Sequence, residues 1–446
     1  FFHPSRIRAL CLARENEAMK TENIPPISAQ AENALRTIAG LPEVRKALQS
    51  IHDRTDQAIR LQVELCEIPA PTFREEVRAK RIVELMHECG LEDVSIDGIG
   101  NVVGRWPGTA PQGPLLAIGA HMDTVFPEGT DVTVRQEGNR YYGPGIGDNC
   151  AGLRAVLETL RAMKAAGIRT KGSILFMGTV GEEGLGDIRG SKYLFDKSGL
   201  PVDGLLAVDN TDVGRILYGA IGSHRWRFTV KGPGGHSYGA FGATPSAIHA
   251  ICIAGAKVAY LKAPQDPKTT FTIGTIKGGT SVNTIAAECS VDVDIRSLAM
   301  EPMLALEKEI RGAFAAGVEE ENRIWGITDP EKQLRLVEEM IGDRPAGLRP
   351  HDCPVLPASR AAQAELGIPL TNYGFSSTDA NKPMSMGIPS TCLSAGGKQM
   401  RTHTVHEYFD AVDIHLGPQL IMLSALALVG TDATNPMLPV REHSKV

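Results

Sequence analysis

The sequence predicts an α/β protein: a mostly parallel sheet with helices on both faces, interrupted by a smaller α+β domain. Three observations lead there. Leu115–Ile118, Ile174–Met177 and Leu205–Val208 are short and apolar at consecutive positions, as strands buried on both faces are. Cys150–Ala166, of helical period, lies between the first two, and alternation of strand and helix builds parallel sheets. From about Gly222 the pattern changes. His224–Val230, Thr270–Ile276 and Ser290–Ser297 alternate polar and apolar residues, as antiparallel strands with one wet face do.

Taken in order, residues 1–26 are expected to be poorly ordered. Residues 27–64 carry apolar side chains at helical spacing, and Pro42 divides them into two helices. Ile68–Thr72 is a break, after which Thr72-Phe73-Arg74-Glu75 reads as a capping box opening a helix that runs to about Glu88 and stops at Gly90. Strands follow near Val94–Ile96 and Asn101–Gly104. In the 150–166 helix, Leu153, Val156, Leu157, Leu160 and Met163 share a face and Gly167 closes it. The alternating region adds helices at about Pro245–Leu261 and Pro302–Gly317 and a strand near Leu334–Met340. The α/β character returns through Ala361–Leu366 and Ile388–Leu393. The expected division is a discontinuous main domain, 27–221 with 344–435, an inserted domain, 222–343, and a tail, 436–446.

Composition prunes the function classes. The net charge of −6 argues against a nucleic-acid surface, which needs a clustered basic face. No run reaches the roughly 18 consecutive apolar residues of a membrane span. The opening stretch lacks the apolar core of a signal peptide, and residues 1–18 read as a tail or an upstream start. Eight dispersed cysteines with no C-x-x-C pair read as free thiols, which places the chain in the cytoplasm. Glycine is in excess, 47 of 446 residues, against a usual share of about 7%. Much of it flanks the residues considered next.

Acidic and histidine residues stand just past each apolar run: His121 and Asp123, then Glu182-Glu183, then Asp209. Ligands of open α/β sheets bind at these carboxyl ends. Asp148, in a glycine-rich loop before the 150–166 helix, and His403, in Thr402-His403-Thr404-Val405-His406-Glu407, extend the set. Singly, each has an ordinary explanation: Asp148 as a helix cap, Asp209 as a turn former, Glu182-Glu183 as a solvated loop. Jointly they form the inventory of a two-metal hydrolytic centre. Imidazole and carboxylate ligands suit Zn2+, with Mn2+ or Co2+ admitted. Asp148 is the candidate bridge, and Asp123 shares an extended face with His121 and can orient its ring. In Glu182-Glu183, one carboxylate can bind metal while the other serves as general base.

These residues resemble a known family. Gly119-Ala-His121-Met-Asp123-Thr-Val, Gly-Ile-Gly-Asp148-Asn149, Gly181-Glu182-Glu183-Gly184, Asp209 and His403-Thr-x-x-Glu407 are similar to the motifs of the dizinc metallopeptidases, the family of peptidase T, glutamate carboxypeptidases and aminoacylases. The phrasing around Val180–Gly190 and Ser377–Asn381 is most similar to bacterial peptidase T-like members. The resemblance implies a zinc-peptidase-like catalytic domain and a lid and dimerisation domain, in a homodimer. It implies two divalent ions, with Asp148 bridging, His121 and Asp209 completing one site, and Glu183 and His403 the other. Glu182 becomes the general base, Asp123 steadies His121, and the Asp148–Asn149 bond is cis. The pattern favours His403 over His406. In the lid it implies His236 for the oxyanion and Asn283 and Arg296 for substrate, although Asn283 can equally be a turn residue and Arg296 a solvated strand residue. The expected substrate is a small peptide, with N-acyl amino acids as the alternative.

A rival of another mechanism is a serine hydrolase. Gly235-His-Ser237-Tyr-Gly239 matches the nucleophile-elbow pattern, and Asp379 and His403 follow in triad order. Against it, Lys231–Gly234 separates the serine from its strand, and the other carboxylates are left without a task.

Overall fold

The computed structural model describes residues 24–442, so nearly all of the segment expected to be poorly ordered, 1–26, lies outside the described residues. Two compact units form. One comprises the chain before Ile221 and after Gly347, and the other is Ile221–Gly347, where the sequence suggests 222–343.

The first unit holds a six-stranded sheet in the spatial order 94–96, 102–106, 173–179, 115–121, 204–208, 390–393. The last four strands are parallel, and the first two pair antiparallel at one edge. Every residue of Leu115–His121 and of Gly204–Val208 is buried. The helix Cys150–Ala166 begins on Asn149, whose side chain accepts from Gly152 N, and ends on left-handed Gly167. Asn149 also donates to Val208 O at 2.8 Å. Gly152 is required here, because a Cβ would collide with Asn149 Oδ1. The buried Arg154 ties the helix to Gln62, Ala395 and Ile414.

Several expectations are corrected. Residues 29–66 form three helices, Ala29–Gly40, Pro42–Asp53 and Thr55–Cys66, because a second break falls at Arg54. The capping box does not cap. The helix starts at Glu76 with no side-chain cap, Phe73 is left-handed, and Thr72 and Glu75 bond to other loops. The apolar helix Leu416–Val429, buried at every position from Gly417, and a strand at Arg215–Ala220 were not expected. The stretch from 436 is not a loose tail in its described part: Leu438 is buried and donates to Leu428 O at 3.0 Å.

The second unit is a four-stranded antiparallel sheet, ordered 269–278, 288–297, 222–231, 335–344, with the helices Ala247–Ala259 and Met300–Ile324 on one face. Val291, Val293 and Ile295 are buried, and Phe228 stacks on Phe314 with ring centroids 4.0 Å apart. On the opposite face, Arg227 pairs with Asp292 at 2.8 Å and Arg225 with Asp294 at 3.2 Å, as cross-strand neighbours.

His224 breaks the apolar pattern of its face, and Nδ1 meets Glu307 at 2.5 Å while Nε2 meets Asp343 at 3.1 Å. Burial disfavours the charged ring, but the Asp343 and Glu307 carboxylates outweigh it and hold the imidazole above its ordinary range. A raised histidine gives stability that is complete below its ordinary value of about 6.5 and fades as pH climbs through the folded value. His224→Gln should therefore destabilise the protein by about 3 kcal/mol on the acid side, with a smaller loss in alkaline buffer. Urea denaturation at several pH values checks this. A loss independent of pH would mean that the ring acts by packing alone.

Candidate metal centre

The sheet order brings the chemistry together. Strands 173–179, 115–121 and 204–208 are neighbours, with His121 paired to Thr179. Their carboxyl ends therefore deliver His121, the Glu182-Glu183 loop and Asp209 to one edge, where parallel sheets bind ligands. Asp148 arrives from the loop before Cys150, and the Asp148–Asn149 bond is cis.

One ligating atom each of His121, Asp148 and Glu183 lies within 4.8 Å of the others. His121 Nε2 stands 3.2 Å from Asp148 Oδ1. His403 Nε2 stands 3.1 Å from both Asp148 Oδ2 and Glu183 Oε1. Asp148 thus offers one oxygen to each histidine, the disposition a bridging carboxylate needs. Among the described residues His406 has no such contact; its backbone N donates to Thr404 Oγ1 at 3.3 Å.

The ring of His121 is set for coordination. Its Nδ1 lies 3.0 Å from Asp123 O, which can accept only a proton from that nitrogen, so in the neutral ring Nε2 is the atom with a lone pair to give a cation. Among the described residues that buried Nε2 finds no hydrogen-bond partner. An orphaned imidazole nitrogen facing carboxylates fits a divalent cation. Converging negative charge points the same way. Asp148 and Glu183 push His403 up to about 10. Burial, helped by Asp148, pushes Asp209 up to about 6. His121 sits above its ordinary range despite burial, because Asp123 and Asp148 face it.

Two carboxylates hold the frame. Asp123 is fully buried; its Oδ1 accepts Glu182 N at 2.9 Å, and its Oδ2 accepts Glu183 N at 3.0 Å and the Thr72 hydroxyl at 2.9 Å. Burial opposes its charge, but the bonds from His121 and the two amides keep it below the usual carboxylate range. Glu407 accepts Gly145 N, Gly147 N and Asp148 N at 2.8–3.0 Å, so it carries the loop that presents Asp148. Burial pushes Glu407 up to about 7 against those amides. The sequence gives no role to Glu407 beyond its place in the His403 motif, and none of this kind to Thr72. The tight Gly-x-Gly spacing before Asp148 was the available signal that its backbone needs an outside acceptor.

The other named residues belong to other segments of the chain. In the second unit, His236 sits on a two-residue strand paired with Thr284–Ile285, and Asn283 O accepts Ser237 N at 3.0 Å. His236 Nδ1 accepts Tyr238 N and Gly239 N, which leaves Nε2 as its donor. The Arg296 Nε donates to Asp294 Oδ2 at 2.6 Å on its own strand. The local geometry does not support the serine constellation. Ser237 lies in a turn, with the next helix only at Ala247, so it is on no strand-to-helix elbow. Asp379 Oδ2 accepts from Thr179, and His403 Nε2 faces Asp148 and Glu183.

A parallel α/β sheet whose strand ends gather imidazoles and carboxylates around one aspartate defines a protein built to hold divalent cations. The profile described as Peptidase family M20/M25/M40 matches residues 117–426, and the chain belongs to that family. Carboxypeptidase G2 of a Pseudomonas species is 29% identical over 203 residues, 44% of this chain and 47% of that protein. The chain matches about a third to a half of the length of its curated relatives. Among solved structures, a tripeptidase of Staphylococcus aureus superposes with a TM-score of 0.66 at 25% identity, covering 83% of this chain and 97% of that one. The YXEP protein of Bacillus subtilis, described as a dinuclear metal binding peptidase of the M20 family, has a TM-score of 0.61 at 16% identity and covers 85% and 99%. The α/β architecture expected from the sequence is the architecture of these proteins.

Proposed function

We propose that the protein is a metal-dependent hydrolase of amide bonds in small peptides, a tripeptide aminopeptidase or related exopeptidase. The observation that carries this reading is the cluster in which Asp148 faces His121 and His403 with separate oxygens while Glu183 shares His403. His121, Asp148 and Asp209 would hold one divalent ion, and Asp148, Glu183 and His403 a second. Zn2+ suits this donor set best. Such ions, when bound, supply a Lewis acid for the amide carbonyl and lower the pKa of water. Glu182 takes the proton of the attacking water and passes it to the leaving nitrogen. Asp123 fixes both the His121 ring and the backbone of Glu182. The lid residues His236, through its Nε2–H, Asn283 and Arg296 would bind the oxyanion and the substrate carboxylate.

The tripeptidase likeness favours peptides with a free amine over N-acyl amino acids. The exposed edge strand Thr269–Gly278 suits a homodimer formed through the lid. Among the described residues all seven cysteines are free and no helix is long and apolar enough to cross a membrane; free thiols suit a cytoplasmic setting.

The test is a metal-supplemented screen of di- and tripeptides against N-acyl amino acids, with metal content measured on the same sample. Chelation should abolish hydrolysis and Zn2+ should restore it. Hydrolysis that resists chelation would overturn the reading, and preference for N-acyl substrates would overturn the peptide assignment.

A further inference from the structure

Four consecutive backbone amides precede the chemistry of Glu182 and Glu183, and each is held from outside the loop. Val180 N donates to Asn101 Oδ1 at 3.0 Å, and Gly181 N to Glu75 Oε1 at 3.0 Å. Glu182 N and Glu183 N donate to the two oxygens of Asp123. Loops on a protein surface usually leave such groups to water. Here three separate segments supply the acceptors.

Glu75 is the member with no other evident task. It is buried, and its carboxylate receives Arg189 Nη2 at 2.8 and 2.9 Å. Arg189 lies over the Phe73 ring at 4.8 Å, and its backbone N–H returns to Gly181 O at 3.3 Å. Gly181 is left-handed, and a Cβ there would collide with the Arg189 guanidinium. The pair therefore grips the residue immediately before Glu182. Its energetics do not suit a purely stabilising role. Burying an ion pair gives little net stability, and Arg189 Nη1 is buried without a hydrogen-bond partner among the described residues. A buried pair that contributes little to stability yet bonds a specific amide is explained by the geometry it imposes.

We infer that Glu75 and Arg189 are positioning residues for the general base, setting the backbone from which Glu182 reaches the reacting water. The inference rests on the role proposed for Glu182. Its test has an arm that does not depend on the reaction. The double variant E75Q/R189M removes both charges while leaving an amide oxygen for Gly181 N. Hydrogen exchange of the Gly181–Glu183 amides should rise at least tenfold, with exchange in strand Leu115–His121 unchanged. Activity is read as a split: kcat should fall about 10- to 100-fold, the scale of a small misplacement, with KM and bound metal unchanged. Introduced into the Glu182→Gln background, the same two changes should alter the residual rate less than twofold. E75Q alone, which keeps the oxygen and disturbs packing least, should give the same pattern at smaller size should the double variant fold poorly. Unchanged exchange, or an equal loss of kcat in both backgrounds, would overturn the inference. Loss of wild-type chelator-sensitive hydrolysis would overturn the proposed function instead, and the exchange result would still decide whether the pair holds the loop.

Discussion

Glu182→Gln should leave the protein folded, with full metal content, and lower kcat by about 10³-fold or more. General acid–base catalysis contributes about 10²- to 10⁴-fold, and 10³ corresponds to about 4 kcal/mol of barrier. The amide side chain keeps the size and most of the packing of the buried carboxylate, and the Glu182 N–H still reaches Asp123 Oδ1. What it loses is the ability to take a proton. Metal analysis of the purified variant, set against its turnover, separates the two roles within Glu182-Glu183. The adjacent Glu183→Gln should instead lower metal content, because Glu183 Oε1 is the atom that meets His403. Normal turnover in Glu182→Gln would remove it as base.

Asp148→Asn should have the other large effect, and a different signature. The substitution keeps shape while removing the charge shared by His121 and His403. Metal content should fall below two per chain and activity by at least about 10³-fold, since a two-metal centre depends on its common ligand. In metal-stripped protein, Asp148 and Glu183 hold His403 up at about 10, so the variant's His403 should titrate lower, toward the ordinary value of about 6.5. Imidazole resonances followed by NMR across pH report this directly. An unmoved His403 titration would show that Glu183 alone sets its charge.

How much of this could be read from the chain depends on whether the signal was local. The helix 150–166 is legible because one face is apolar at helical spacing and a glycine ends it, and the ends match. The three apolar runs are legible because parallel strands are buried on both faces, and strand direction then says which end carries the candidate ligands. Leu416–Val429 is opaque for the opposite reason: a helix buried all round has no polar face to set a period. Thr72-x-x-Glu75 is misleading because the hydroxyl and carboxylate that can close a helix can also reach Asp123 and Gly181, and only the tertiary structure chooses. Glu407 shows the same limit. Its three amide bonds join segments about 260 residues apart in the chain, which no local pattern encodes.

That long reach has a consequence for synthesis. His121, Asp148, Glu183 and Asp209 leave the ribosome well before His403 and the carboxylate of Glu407 that carries the Asp148 loop. A nascent chain, however well its first strands pair, can present only a partial set of the candidate ligands until this later segment docks. A polypeptide released short of Glu407 would keep its early carboxylates without His403 and without the acceptor that holds the Asp148 loop.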